Sequence, residues 1–319
     1  MNKPNLSKRR AIATISSLML SAPTLAKEMG RNNWLVINAA PGTSADFYGR
    51  SFADYLSQTT DIQMVVDNKP GASGLIAANH YLNLPKHQPN IIIANSALIT
   101  NLPLTTDKPL PFDTQRDLSP IAILVGVPFF LVTSSKSNLK NIEDISRIET
   151  LPYAVSSLGT GGHIIGELLG EELKIKTFPV PYVNNGQAMM DIISGRVPVG
   201  IFSWLAISAL FESGALNVLM NFSLNRSKFA PNIRSAAEVG LGKLHIEGWQ
   251  GIFSTKFLDT KTKGTIETAL KEWTKTPTYE SILNKAGYVD FYKSQTESIM
   301  LIKEEMGKNK SLLTRLKII

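Results

Sequence analysis

The sequence from residue 153 to residue 163 is YAVSSLGTGGH. Residues 153–155 form a short β-rich segment, and a helical pattern begins at His163 after a polar turn that contains three glycines. Because glycine loses more backbone entropy on folding than any other residue, three of them at a helix start indicate close approach to the main chain. A strand, a glycine turn and a helix in this order predict a parallel α/β layer, whose strands present their carboxyl ends to a ligand crevice.

The same order of segments recurs along most of the chain. Short β-rich segments alternate with helical periodicity from Trp34 onward, and residues 45–57 carry aromatic and leucine side chains at helical spacing. Two further glycine turns, PGTSAD at 41–46 and NKPGASG at 68–74, each lie between a predicted strand and the next helix. The predicted strands are 34–39, 62–66, 90–94, 121–125, 129–133, 153–155, 178–181, 199–202, 216–222 and 251–254, and the chain after Lys261 is predicted to be mainly helical.

The first 26 residues have the pattern of an export signal. Four basic residues precede an apolar stretch of residues 11–20, and small residues follow up to Ala26. The stretch is shorter than the roughly 20 residues that span a bilayer, so we predict cleavage after Ala26 and not a membrane anchor. The formal charge of +7 then falls by these four charges to +3.

Composition narrows the function classes. No Lys/Arg-rich stripe remains after residue 26, so we predict no nucleic-acid partner. The sequence has no cysteine, which excludes disulfides, thiolate metal sites and a lipid-bearing cysteine. We therefore expect a periplasmic protein, exported by its signal peptide and monomeric.

Two segments have the character of crossings between lobes. One is the apolar double strand around 121–133, and the other is the return at 248–253. We predict a signal peptide at 1–26, a first lobe built from 27–126 plus 249–319, and a second lobe built from 127–248. A two-strand hinge of this kind permits a cleft to open and close.

Glycine turns at helix starts favour an anionic ligand. A helix N-terminus offers unpaired N–H groups and a partial positive charge, and two such ends facing each other from two lobes would hold a carboxylate. A bulky residue such as valine at Gly161 is expected to block this approach while leaving folding largely intact. Two simpler interpretations stay open: Thr43 and Asp46 match a capping box, and His163 is often only a capping or packing residue in such a place.

Enzyme and cofactor motifs are missing. The turn at 159–163 lacks the G-x-G-x-x-G spacing, and there is no G-x-S-x-G elbow. The four histidines form no metal-ligand pattern, and neither Ser73 nor Ser157 has an identifiable base and acid partner. We therefore predict no catalytic residues, no metal, no cofactor and no enzymatic activity.

An ordered set of motifs resembles the periplasmic receptors of tripartite tricarboxylate transporters, the Bug or TctC-like proteins. The segments that carry this resemblance are PGTSAD (41–46), VDNKPGASG (66–74), FD (112–113), DLSPIA (117–122), YAVSS (153–157), GTGGH (159–163), VPY (180–182), DIISGRV (191–197) and AEVGL (237–241). The resemblance implies a type II periplasmic-binding-protein fold, that is, two α/β lobes joined by a two-strand hinge. The chain departs from the family pattern at Ser203, where an aspartate is common, which argues against a ligand with an amino group.

The resemblance also implies a function and a set of contacts. The expected role is a receptor that captures a small carboxylate in the interlobe cleft and delivers it to the membrane permease subunits of a tripartite transporter. The alternative is a ligand-sensing periplasmic partner of a signalling receptor with the same fold. The expected ligand-binding residues are Gly42, Thr43, Ser44, Asp46, Ala72, Ser73 and Ser96 in the first lobe, and Ser157, Gly159, Thr160, Gly161, Gly162, His163, Tyr182 and Ser203 in the second.

Overall fold

The computed structural model describes residues 32–106, 108–182, 184–316 and 318–319. The predicted signal peptide and its cleavage site lie outside these ranges. The chain forms two β-sheets covered by helices, which confirms the predicted α/β class.

The secondary structure alternates between strands and helices over most of the chain. The strands are β1 (Asn33–Ile37), β2 (Met64–Asn68), β3 (Ile91–Asn95), β4 (Ser119–Val127), β5 (Phe129–Ser134), β6 (Thr150–Val155), β7 (Lys176–Pro181), β8 (Val199–Ser203), β9 (Leu216–Asn221), β10 (Gly248–Ser254) and β11 (Val289–Lys293). The helices are α1 (Ser44–Thr59), α2 (Leu75–Leu82), α3 (Leu102–Thr105), α4 (Thr114–Asp117), α5 (Ile142–Ile145), α6 (Gly161–Leu173), α7 (Asn185–Ile193), α8 (Trp204–Glu212), α9 (Thr260–Trp273), α10 (Pro277–Ala286) and α11 (Gln295–Arg315).

The first sheet has the strand order β11-β4-β10-β3-β1-β2. Strand β1 runs parallel to β2 and β3, whereas β10 runs antiparallel to β3 and β4. Helix α1 covers this sheet with the predicted stripe, and Tyr48, Phe52 and Leu56 are fully buried. Trp273 of α9 packs on that stripe, with its ring centroid 5.4 Å from that of Phe52. Burial of such aromatic side chains supplies much of the apolar area of a core.

The second sheet has the order β7-β6-β8-β5-β9. Strand β6 runs parallel to β7 and β8, and β5 runs antiparallel to β8 and β9. Helix α6 lies close to this sheet because Gly166 has no side chain: a Cβ there would lie 2.1 Å from the ring of Tyr153. The strand and helix of the decisive 153–163 segment therefore pack directly on each other.

The chain passes between the two sheets at β4 and β10. Pro128 separates β4 from β5, and Gly248 at the start of β10 pairs with Val127 at the end of β4. A further contact across the boundary involves Gly287, which ends α10 with a φ of +65°. A Cβ on this glycine would lie 2.3 Å from Cβ of Trp204, the first residue of α8. The two halves therefore touch closely beside the crossing strands.

The C-terminal region differs in two ways from a purely helical tail. Strand β11 inserts between α10 and α11 and pairs antiparallel with β4 at the edge of the first sheet. Helix α11 begins on the first sheet, where Ser298 Oγ accepts a hydrogen bond of 3.0 Å from the N–H of Ile123. Its last turns reach the core of the second sheet, in which Leu313 is fully buried. Across the described ranges, no helix combines the length and apolarity needed to cross a bilayer.

Replacing Leu313 with alanine should lower the free energy of unfolding by about 2–4 kcal/mol, because the substitution leaves a cavity in the second core. Urea denaturation followed by circular dichroism measures the change. The control is Ile299→Ala on the same helix, where the side chain is 50% exposed and a change within about 0.5 kcal/mol is expected. Equal stabilities of the two variants would show that the end of α11 is not anchored in the second core.

Candidate functional site

The first glycine turn is shaped by a buried carboxylate. Asp46 accepts hydrogen bonds from the N–H of Gly42 at 2.9 Å, from Arg50 at 3.0 Å and from Asn68 at 3.0 Å. Burial alone would raise the pKa of Asp46, but the hydrogen bonds from these three partners outweigh it and hold the pKa below its usual value. Thr43 caps α1, and its hydroxyl accepts from the N–H of Asp46 at 3.4 Å. Asp46 therefore fixes the form of the turn, while Gly42 stays exposed and Thr43 half-buried.

Ser44, the first residue of α1, is held by a chain of polar groups. Its hydroxyl hydrogen-bonds to Tyr288 Oη, which also accepts from Gln250 Nε2 at 3.0 Å. Two buried atoms at this edge, Gln250 Oε1 and Asn38 Nδ2, have no partner among the described residues. Buried polar groups are almost always hydrogen-bonded, so a donor and an acceptor left open here indicate a place for water or a ligand.

The second glycine turn is strained. Four consecutive residues have a positive φ: Gly71 at 118°, Ala72 at 47°, Ser73 at 52° and Gly74 at 95°. The left-handed conformation costs a residue with a Cβ roughly 1–2 kcal/mol. The sequence predicted a turn from the two glycines, but it gave no sign that Ala72 and Ser73 share the conformation. Strain of this kind persists where the surrounding structure enforces it, and it is common in ligand-binding loops.

The third glycine turn is stabilised by the buried ring of His163. The N–H of Gly159 donates to His163 Nδ1 at 3.0 Å, and Thr160 Oγ1 donates to the carbonyl of Ser157 at 2.7 Å. Burial lowers the pKa of His163, and the nearby Glu167 carboxylate offsets only part of that effect. The ring therefore acts as a neutral acceptor that shapes the turn. Thr160 precedes α6 without capping it through its side chain, so the first N–H groups of that helix remain open.

The second and third turns meet across the boundary between the sheets. Ser73 Oγ lies 3.4 Å from Ser157 Oγ, within hydrogen-bonding reach. Asn101, at the end of a short π-helical turn (Ala97–Asn101), donates from Nδ2 to the carbonyl of Gly159 at 2.9 Å. Asn101 is 4% exposed and also accepts from Asn309 of α11 at 2.8 Å. Sequence reasoning missed Asn101, because a lone asparagine in a helical segment carries no motif.

Phe129 occupies the space between the third turn and the crossing strands. A Cβ on Gly161 would lie 2.7 Å from the Phe129 ring, and one on Gly248 would lie 3.3 Å from it. Phe129 also pairs in register with Ser203 at the end of β8. A bulky residue at Gly161 would displace this ring as well as block the start of α6, and the effect of such a residue on folding stays a prediction.

The other expected contact residues differ in their freedom to meet a ligand. Ser96 and Ser203 are half-buried, and Ser203 precedes α8 without making a side-chain capping bond. Tyr182 is buried, and its hydroxyl donates to Asp191 at 2.8 Å, which also pairs with Arg196. The hydroxyl of Tyr182 is therefore engaged on α7. Within the described ranges, no three histidine, aspartate or glutamate side chains are grouped so that they would hold a metal ion.

Two sheets that contribute loops to one boundary are the architecture of a two-lobed α/β protein. Solved structures share this fold: one described as a periplasmic transporter has a TM-score of 0.81 at 21% identity, covering 91% of this chain and 98% of the other. A Rhodopseudomonas palustris protein solved with adipate has a TM-score of 0.82 at 22% identity, covering 90% and 98%. The periplasmic binding protein BugD has a TM-score of 0.78 at 19% identity, covering 91% and 98%. The predicted type II periplasmic-binding fold is thereby confirmed.

The chain belongs to the tripartite tricarboxylate transporter family of receptors, whose sequence profile matches residues 49–318. Protein BugT of Bordetella pertussis is 25% identical over 232 residues, which are 71% of each chain. A UPF0065 protein of Bordetella bronchiseptica is 28% identical over 207 residues, covering 64% of this chain and 62% of the relative. The family resemblance is confirmed, and the family and fold are those of solute-binding receptors, which are not enzymes.

Replacing Asp46 with asparagine should lower the free energy of unfolding by about 1–3 kcal/mol at neutral pH, because the charge-assisted hydrogen bonds are lost. Since the pKa of the folded carboxyl lies below its ordinary value of 3.8, the contribution is complete above that pH and is lost as the pH falls through the folded pKa. The stability gap between wild type and variant should therefore shrink in acid. Denaturant titrations at pH 7 and pH 3 test this, with the exposed Asp54→Asn as control. A gap that is independent of pH would contradict the assignment.

Replacing Asn101 with aspartate should destabilise the protein by about 1–3 kcal/mol, because a carboxylate cannot donate to the carbonyl of Gly159. Hydrogen exchange of the amides around Gly159 should become faster by the factor that corresponds to this loss of free energy, which is about tenfold for each 1.4 kcal/mol. Asn79→Asp adds the same charge at an exposed position of α2 and serves as the control. Unchanged exchange at Gly159 in Asn101→Asp would mean that this bond does not hold the two sheets together.

Proposed function

We propose that the protein is a periplasmic receptor that captures a small carboxylate between its two sheets and delivers it to the membrane subunits of a tripartite transporter. The observation that carries the proposal is the meeting of glycine turns from both sheets at one boundary, with Ser73 beside Ser157 and Asn101 bonded to Gly159. Family membership supports the delivery role, and the Rhodopseudomonas palustris structure solved with adipate supports the carboxylate.

Helix N-termini supply the partial positive charge of the proposed site. Thr160 and Ser203, which precede α6 and α8, make no side-chain capping bond, so the first N–H groups of both helices are free to bind an anion. One helix terminus is worth about 0.3–1 kcal/mol at an exposed site and up to about 2 kcal/mol when partly buried. Several termini acting together would hold a carboxylate without a fixed cation.

The roles in the proposed site divide into contact and support. We assign direct contacts to Thr43, Ser44 and Ser73 on one side and to Ser157, Thr160 and Gly161 on the other, through hydroxyl and main-chain groups. Other predicted residues support the turns: the carboxylate of Asp46 holds the first turn, and the ring of His163 holds the third.

Closure would come from rotation of the predicted second lobe, residues 127–248, against the predicted first lobe, residues 27–126 plus 249–319, although the last turns of α11 pack in the core of the second sheet. The crossings at β4 and β10 are adjacent and antiparallel, which suits a hinge. The signal pattern of the first 26 residues supports export to the periplasm, where such a receptor meets its ligand.

The mature protein should be stabilised by at least one member of a panel of mono-, di- and tricarboxylates, and not by neutral sugars. A ligand at a hundred times its Kd adds about 2.7 kcal/mol to the free energy of unfolding, which a thermal-shift assay detects. Ser157→Asp should abolish this shift because the added carboxylate repels the ligand. Ser157→Asn, whose side chain has nearly the shape of aspartate but no charge, should retain most of the shift.

Three results would count against the proposal. If no acid of the panel shifts the melting temperature and no acid is released from the purified protein on denaturation, the proposal that the ligand is a carboxylate is contradicted. Equal binding by the two Ser157 variants would move the site elsewhere. Uptake of the bound acid that is unchanged in cells lacking the protein would remove the delivery role.

A further inference from the structure

A mainly apolar cavity of about 580 Å³ opens at one end of the boundary between the sheets. It lies between α1 and α10 on the side of the first sheet and the start of α8 on the side of the second. Its lining includes Ser44, Phe47, Leu205, Pro277, Ile282 and Lys285. A cavity of this size is in the range of small-molecule sites, which typically hold several hundred Å³.

Two large apolar side chains in this lining remain in contact with water. Phe47 of α1 is 60% exposed, and Leu205 of α8 is 37% exposed. Single exposed apolar side chains are ordinary, but these two lie on helices that pack on different sheets, and both line one cavity. An apolar group placed between them would be removed from water together with both side chains, which is favourable in proportion to the area buried.

Ser44 belongs both to the lining of this cavity and to the contacts assigned to the proposed carboxylate site. This serine is the first residue of α1, and its hydroxyl is held by Tyr288, so it has a fixed position at the helix start. Phe47 follows one turn later on the same helix. A ligand whose carboxylate lies at the start of α1 therefore has an apolar surface directly beside it.

Charge in the cavity argues against a second anionic group at the far end of the ligand. Among the lining residues that the structure describes, Lys285 carries the only charge, and it is solvent-exposed. An exposed ammonium is screened by water and salt, so it compensates poorly for the desolvation of a second carboxylate. Ser51, Thr278 and Ser281 also line the cavity, but most of its wall is apolar, so an apolar group fits it better than a hydroxyl-rich acid does.

We propose that the ligand of this receptor is a monocarboxylate with an apolar chain or ring, whose carboxylate lies at the helix starts and whose apolar part fills the cavity between Phe47 and Leu205. This inference rests on the proposed function, and it excludes compact hydroxylated di- and tricarboxylates as the preferred class.

The test is calorimetric titration of the mature protein with straight-chain acids from acetate to hexanoate, and with malate, citrate and adipate. Affinity should rise about three- to fourfold for each added methylene, which corresponds to the transfer free energy of that group. Hexanoate should bind more tightly than adipate, which has the same chain length and a second carboxylate. A preference for adipate or for the hydroxylated acids would overturn the inference and leave the carboxylate receptor intact.

Variants locate the apolar contact. Phe47→Asn and Leu205→Asn should each weaken hexanoate binding by about tenfold or more and change acetate binding less than twofold, since only the longer acid reaches these side chains. Phe178→Asn is the matched control, because Phe178 is 62% exposed on the edge strand β7 and is not in the cavity lining. A dependence on chain length that survives both cavity variants would overturn the inference. If no acid binds at all, the proposed function fails, and this inference fails with it.

Discussion

The buried side chain of Asn101 connects three parts of the chain that are far apart in sequence. Its amide nitrogen donates to the carbonyl of Gly159 in the third turn, and its amide oxygen accepts from Asn309 of α11. The residue itself belongs to the segment that follows β3 of the first sheet. A buried amide that lost these partners would cost about 1–3 kcal/mol, so the contact favours one relative placement of the two sheets. The closeness of Ser73 to Ser157 depends on that placement.

The proposed site is built from neutral groups and from backbone that is held in unfavourable conformations. Ala72 and Ser73 keep a positive φ between two glycines, and Thr160 leaves the start of α6 uncapped. The charged Asp46 and the titratable His163 act on the turns themselves, through hydrogen bonds to Gly42 and Gly159. An anion at this place would meet oriented N–H groups and hydroxyls, which need little reorganisation on binding.

Much of the fold could be predicted from the sequence, because the patterns that indicate strands and helices involve consecutive residues. The stripe of Tyr48 and Phe52, the three glycine turns and the strand at 153–155 are of this kind. Strand β11 was missed because it is a short, half-exposed edge strand between two helices, and its pairing with β4 is set by tertiary contact. Asn101 and Phe129 were missed for a related reason: their partners are remote in sequence, and no motif marks them. The contact that a side chain at position 161 would make with the ring of Phe129 was missed for the same reason.

Helix α11 adds a mechanical link that a simple two-strand hinge lacks. It is bonded to β4 through Ser298 near its start, and it is buried in the second core through Leu313 near its end. Any motion that separates the sheets must therefore either pull Leu313 out of its core or bend the helix between these anchors. Gly307 lies in that interval and weakens the helix by about 1 kcal/mol relative to alanine. In the proposed receptor, the stiffness of α11 would limit how far the two sheets separate and so lengthen the time for which a captured solute stays bound.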